Sequence, residues 1–200
     1  MNDATPVRLG AAAVVELAGA DAIAFAHSQF SSDVAGMSVG TWQLSAWLDP
    51  QGRARNTFLL LKTDLEQLLA WLPRGDVDAM ARQLARYVFR AKVSITASNE
   101  WHHVQAAHDL STREKLHAFD QGWRLQWPGT MRRSAILLPP ANAACRSAES
   151  DHAAKQAWQL ADIESGLPWL DASLDGVCTA TSLGLERLAA ASTSKGCYPG

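Results

Sequence analysis

The chain has 200 residues, 48% of them hydrophobic, and a formal net charge of −2. That length suits one large domain or two small ones, with enough apolar content for a real core. The near-neutral balance gives no basic footprint for direct nucleic-acid binding, and Arg82, Arg86, Arg90 and Lys92 read as solvated helix-face charges.

Residues 1–10 read as a frayed start and Ala13 to Leu17 as a strand. Gly19-Ala20-Asp21 opens a helix with Asp21 as N-cap, and Ile23, Ala26 and Phe30 give it one buried stripe. His27, beside that stripe, reads as a packed, hydrogen-bonded histidine. Gln43 to Leu48 is a strand. Asp49-Pro50-Gln51-Gly52 has Asp at i, Pro at i+1 and Gly at i+3 of a turn, so Arg53 to Lys62 returns as the second strand of a hairpin. Leu65, Leu68, Leu69 and Leu72 have helical spacing in a segment that also reads as a strand. Gly75-Asp76 starts an amphipathic helix over 76–88, with Val77, Met80, Ala81, Leu84 and Val88 on one face.

Lys92 to Thr96 alternates as a strand does, and Trp101 to Ala106, Arg124 to Trp127 and Ser134 to Leu138 are further strands. Arg113 to Phe119 reads as a short helix. Ala153 to Ser165 is a helix stopped by Gly166 and Pro168. The order predicts an α+β fold of two related sheet–helix units, roughly 12–98 and 99–200, with mainly antiparallel sheets.

Cys145, Cys178 and Cys197 form no CxxC pair, and an odd count without a secretion signal points to a reducing cytoplasm. The apolar run Ala11 to Ala26 is interrupted by Glu16 and Asp21, so it is neither signal peptide nor membrane span. Eight tryptophans are many for this length; they fit core packing or a stacking wall for a flat ligand. His102 and His103 point to opposite faces of a strand and cannot chelate together, so no metal site is expected. Gly-rich phosphate loops and nucleophile elbows are missing.

The chain closes on Lys195-Gly196-Cys197-Tyr198-Pro199-Gly200. A nearby ammonium favours thiolate, so Lys195 could make Cys197 more nucleophilic. Gly196 lets the backbone approach closely, and Pro199-Gly200 is turn chemistry. On residue types alone, a surface loop with an incidental cysteine is the economical reading.

That string resembles the Lys-Gly-Cys-Tyr-x-Gly-Gln-Glu motif of YgfZ-type folate-binding proteins, relatives of the glycine-cleavage T-protein (aminomethyltransferase). The chain stops where Gln-Glu should follow. Trp158 to Pro168 resembles the family's Trp-x-x-x-x-Ile-Glu-Ala-Gly-x-Pro, Asp171 continues that match, Ser31-Ser32-Asp33 resembles its Thr-x-Asp-Val, and Tyr87 to Ile95 its helix-to-strand segment.

The resemblance favours a strand at Leu69 to Leu72. It implies the fold of the aminomethyltransferase folate-binding domain, with the C-terminal β-barrel absent. It also implies a reduced folate such as tetrahydrofolate as cofactor. Glu164 becomes the carboxylate that reads the pterin, accepting from its ring N–H and exocyclic amine. Trp158 becomes an aromatic wall beside it. Cys197 and Lys195 become the chemical pair, within a motif completed by Gly196, Tyr198 and Gly200.

The implied role is a tetrahydrofolate-binding accessory protein that supports iron–sulfur enzyme maintenance and, indirectly, tRNA modification. Its partners are folate and iron–sulfur enzymes, with no direct nucleic acid and no membrane. Two departures stand out. Cys178 to Leu185 lacks the family's Phe-x-Pro-Gln…Asn-Leu string. Asn56-Thr57 stands where T-proteins carry an Asp pair that assists methylene transfer, and a neutral Asn cannot act as an anionic base. The alternatives are a folate-dependent aminomethyltransferase and a non-catalytic structural remnant.

Overall fold

The computed structural model describes residues 6–106, 110, 112, 114–142, 145 and 149–195. Its contacts form two units, one of Ala13–Ser98 with Trp169–Gly200, the other of Met1–Ala12 with Asn99–Pro168. Strands β1 (Val7–Ala18) and β5 (Ser94–Gln105) contribute residues to both.

The first unit adds α1 (Ala22–Gln29), β2 (Thr41–Leu48), β3 (Ala54–Asp64), β4 (Gln67–Leu72) and α2 (Val77–Leu84). Its strands lie in the order β2-β3-β4-β1-β5, and the β2/β3, β3/β4 and β4/β1 pairs are antiparallel. Phe58, Leu59, Leu60 and Leu61 of β3 are all fully buried, the continuous apolar run of a strand covered on both faces. Phe58 and Leu60 join Val15, Leu17 and the buried sides of α1 and α2 in one core. Leu170, Leu185 and Ala190 pack with Ala46, Leu48 and Ala54 in a second.

The expected hairpin is present: the Gly52 N–H donates to Asp49 O at 2.9 Å, and the Asp49 carboxylate accepts from the Gln51 and Arg53 N–H groups. The strand at Leu69 to Leu72 lies within β4. In α2, the Asp76 side chain accepts from the Ala79 N–H at 2.8 Å, and Val77, Met80, Ala81 and Leu84 are buried. The helix ends earlier than expected, at Leu84. Ala85–Tyr87 is a 3-10 turn, and Val88 beyond it packs partly buried against the core. Asp21 does not cap α1, because its carboxylate accepts from the Lys92 N–H instead. Residues 7–10, read as frayed, belong to β1.

The second unit contains β6 (Leu116–Phe119), β7 (Gly122–Gln126), β8 (Ser134–Leu138) and α3 (His152–Glu164), with strand order β5-β8-β7-β6 and antiparallel pairs throughout. The helix expected over Arg113 to Phe119 is wrong where it is described. Leu116–Phe119 pairs with Gly122–Leu125 across a two-residue turn whose residues, Asp120 (φ 44°) and Gln121 (φ 67°), both lie in the left-handed region. Such a turn matches the right-handed twist of the strands it joins. The strands expected at Lys92 to Thr96 and Trp101 to Ala106 are one continuous β5.

α3 starts with the Asp151 side chain accepting from the Ala154 N–H at 2.9 Å. It stops at Gly166 (φ 65°), where the Gly166 N–H donates to Ile163 O and the Leu167 N–H to Asp162 O. Those two bonds are the Schellman stop that Gly166 permits. The fold is α+β, helices on mainly antiparallel sheets.

Candidate functional site

In the second unit, α3 is fixed by an aromatic and ionic cluster. Trp158, 5% exposed, meets His103 edge-on at 5.0 Å and Trp127 at 5.2 Å, while the Arg133 guanidinium lies 4.5 Å above its ring. His103 stacks on Trp127 at 5.3 Å. Arg133 donates to Trp158 O at 2.8 Å and to Asp162 Oδ1 at 2.7 Å, and Trp127 Nε1 donates to the same oxygen at 2.8 Å. Burial in this cluster, reinforced by the positive charges of Arg133 and Lys155, lowers the His103 pKa to about 3.

Glu164 is exposed, and among the described residues its carboxylate has no hydrogen bond or ion pair. It follows Trp158 by six positions, about 240° around the helix. The structure therefore does not bring the Trp158 ring and the Glu164 carboxylate onto one face. Asp162 was missed by sequence reasoning, though a signal existed. Trp158, Ala161, Asp162 and Ser165 follow the i, i+3, i+4, i+7 template of a core face, so an acid there needs a buried partner.

A cavity of about 570 Å³ lies elsewhere in this unit, floored by Val104, Ile136, Leu138 and Cys145 and rimmed by Arg8 and Asp120. Neither Trp158 nor Glu164 lines it. Burial raises the Cys145 thiol pKa. No group of three His, Cys, Asp or Glu among the described residues could hold a metal ion.

In the first unit, Lys195 Nζ donates to the carbonyl oxygens of His27 and Phe30 at the end of α1. Burial lowers the pKa of its ammonium, and Asp33 opposes that shift. The approach to Lys195 is tied to the same stretch. The Ser31 hydroxyl donates to Ala190 O at 2.5 Å and the Ser192 N–H to Ser31 O at 2.8 Å. His27 Nδ1 accepts from the Ala35 N–H at 3.2 Å and lies 3.4 Å from Asp33 Oδ1. Gly196, Cys197, Tyr198 and Gly200 lie outside the described residues.

Asn56 and Thr57 are buried on β3, and Thr57 Oγ1 accepts from the Leu170 N–H at 3.2 Å. The altered 178–185 segment packs along the hairpin, with Cys178 O accepting from the Ala54 N–H at 2.7 Å. Asp171 pairs with Arg74 at 3.0 Å. Among the described residues, no helix is long and apolar enough to cross a membrane.

No protein-family model matches the chain. It is 26% identical over 94% of its length to a tRNA-modifying protein YgfZ of Shigella boydii and to one of Escherichia coli, and equally to an uncharacterised protein of Haemophilus influenzae. It spans 62–63% of the length of these curated relatives. The glycine cleavage system aminomethyltransferase T of Bartonella henselae shares the fold, with a TM-score of 0.60 at 12% identity over 71% of this chain and 44% of that one. These comparisons bear out the resemblance to YgfZ-type, T-protein-like proteins.

Proposed function

We propose that this chain is a YgfZ-type, cytoplasmic accessory protein that binds tetrahydrofolate, supports iron–sulfur enzyme maintenance and thereby acts indirectly on tRNA modification. The observation that carries the folate reading is the contrast between two carboxylates on α3. Asp162 is occupied by Arg133 and Trp127, whereas Glu164, at the last turn of a helix held by that clamp, is exposed and uncommitted. A carboxylate so placed can accept two parallel N–H donors, as a pterin ring and its exocyclic amine offer. Trp158 supports the site by packing α3 in place. Cys197 carries the reactive thiol of the motif.

A methylene-transfer enzyme fits less well. Asn56 and Thr57 offer no carboxylate, and Thr57 is taken up by the Leu170 backbone.

Calorimetry with tetrahydrofolate tests the reading. Glu164→Ala leaves pterin donors unpaired, a loss of about 1–3 kcal/mol, or roughly 5- to 150-fold in Kd. Equal affinity for the two proteins refutes the assignment of Glu164. Absence of binding by the wild type leaves only the scaffold reading.

A further inference from the structure

The net charge of −2 conceals a local excess of the opposite sign. Between Asp78 and Glu100 the sequence has Arg82, Arg86, Arg90 and Lys92 and no acidic residue. Of these four only Arg82 lies on α2. Arg86 stands in the 3-10 turn Ala85–Tyr87, and Arg90 and Lys92 follow it, so they are not the solvated face of one helix that the sequence suggests. All four are exposed, and among the described residues their side chains make no ion pair or hydrogen bond. Two rings stand among them. Tyr87 is 38% exposed, and Phe89, at 85%, is the most exposed large hydrophobic side chain among the described residues.

The backbone that carries these side chains is held within the first unit. Val88, Ala91 and Val93 pack partly buried against its core, which leaves Phe89, Arg90 and Lys92 outside. The Val88 N–H donates to Ala85 O and the Phe89 N–H to Tyr87 O, both at 3.2 Å. The Lys92 N–H donates to the Asp21 carboxylate at 2.7 Å, and Lys92 O accepts from the Asp21 N–H at 3.2 Å. That carboxylate thus meets the Lys92 backbone, and no ion pair joins it to the ammonium. Gly19 permits the close approach, since a Cβ there would stand 2.3 Å from Lys92 O. Rings and cations therefore share one segment tied down at both ends.

Cations interleaved with open aromatic faces suit a single-stranded nucleic acid, whose phosphates the cations neutralise and whose unpaired bases stack on the rings. Other anionic surfaces fit less well. A bilayer is held by buried apolar area as well as by charge, and with Val88, Ala91 and Val93 turned inward only two rings remain to enter it. An acidic protein segment would pair with the cations and leave the two rings uncovered. We infer that residues 82–92 form a docking surface for single-stranded nucleic acid, with Phe89 and Tyr87 stacking on unpaired bases while the four cations meet the flanking phosphates. This goes beyond the folate reading, depends on neither Glu164 nor Cys197, and adds a direct contact to the indirect route proposed above.

The test is fluorescence anisotropy of labelled oligouridylate and oligothymidylate, each of about 12 nucleotides, titrated with the full chain from about 50 to about 300 mM salt. Both strands are expected to bind, and the tighter one names the polymer. With four phosphate contacts, the logarithm of the binding constant falls against the logarithm of salt with a slope of about −3. Phe89→Ala weakens binding about tenfold with the slope unchanged, and Phe89→Trp keeps it. Arg86→Gln combined with Arg90→Gln reduces the slope to about half. Leu65→Ala, at an exposed apolar side chain elsewhere on the same unit, changes nothing.

Absence of binding at about 50 mM salt overturns the inference. Wild-type affinity in Phe89→Ala overturns it too, because the patch would then act by charge alone. So does a duplex RNA of the same length bound as tightly as the single strand, since paired bases cannot stack on the rings. Phosphatidylserine vesicles or a polyglutamate peptide that bind more tightly than either oligonucleotide would reassign the surface to a membrane or to an acidic protein. Glu164→Ala should bind the oligonucleotides as the wild type does, so the folate calorimetry and this titration fail or succeed separately.

Discussion

The Ser31 hydroxyl donates to the Ala190 carbonyl at 2.5 Å, joining residues 159 positions apart, and accepts from the Ala46 N–H at 2.8 Å. One buried oxygen therefore serves both β2 and the segment that leads to the Lys195 motif. Ser31→Ala leaves a buried donor and a buried acceptor without it, at a cost of about 1–3 kcal/mol. Urea denaturation is expected to show a lower midpoint with unchanged slope. An unchanged midpoint means that the two groups find other partners.

The elements most legible in the sequence were those whose local chemistry and periodicity agree. Asp76 followed by Val77, Met80, Ala81 and Leu84 states both the cap and the buried face of α2, and Asp49-Pro50-Gln51-Gly52 states the turn between β2 and β3. The β6–β7 hairpin was illegible because its turn, Asp120-Gln121, adopts positive φ without glycine, while Leu116-His117-Ala118-Phe119 reads equally well as helix. The string from Lys195 to Gly200 was visible as a motif. The docking of Lys195 was not, because the carbonyls it meets are 165 and 168 positions away.

That hairpin supplies two substitutions with opposite signs. A Cβ on Gly122 would stand 2.1 Å from Leu137 O and 3.0 Å from the Leu138 Cα, both backbone atoms of the adjacent strand. Gly122→Ala must therefore part β7 from β8, at a cost of about 1–3 kcal/mol or more. Gln121→Gly relieves a left-handed side-chain residue, worth about 1 kcal/mol before the extra backbone entropy of glycine is counted. Thermal melts should place Gly122→Ala below the wild type and Gln121→Gly at or slightly above it. A stable Gly122→Ala protein would contradict this strand pairing.

His103 makes the second unit sensitive to acid. Its folded-state pKa, about 3, lies below the ordinary value of 6.5. As pH falls below 6.5 the unfolded chain takes up a proton that the folded cluster refuses. The stability tied to this histidine is complete above pH 6.5 and is lost as pH falls towards 3, at no more than about 1.4 kcal/mol per pH unit. His103→Gln removes the titration. Comparing denaturation at about pH 7 and about pH 4.5 should show a smaller loss for the variant than for the wild type. Equal losses would mean that His103 is protonated within the fold.

Asp162 and Glu164 are two positions apart on α3, yet their substitutions separate architecture from function. Asp162 is 5% exposed and accepts from Arg133 and Trp127 on one oxygen. Removing it leaves a guanidinium whose side chain is only 9% exposed with the Trp158 carbonyl but without the Asp162 carboxylate. Breaking a buried pair from one side costs about 3–5 kcal/mol. Asp162→Ala should therefore lower the denaturation midpoint sharply and shift tryptophan emission as Trp127 and Trp158 lose their setting. Glu164 holds nothing among the described residues, so Glu164→Ala should leave the midpoint within about 0.5 kcal/mol of wild type while weakening tetrahydrofolate binding. A third variant, Trp158→Phe, places Trp158. As part of the clamp, it makes Trp158→Phe reduce stability and folate affinity in parallel. As a wall against the pterin, it makes the same change reduce affinity with the midpoint unmoved, and that result would overturn the supporting role given to it here.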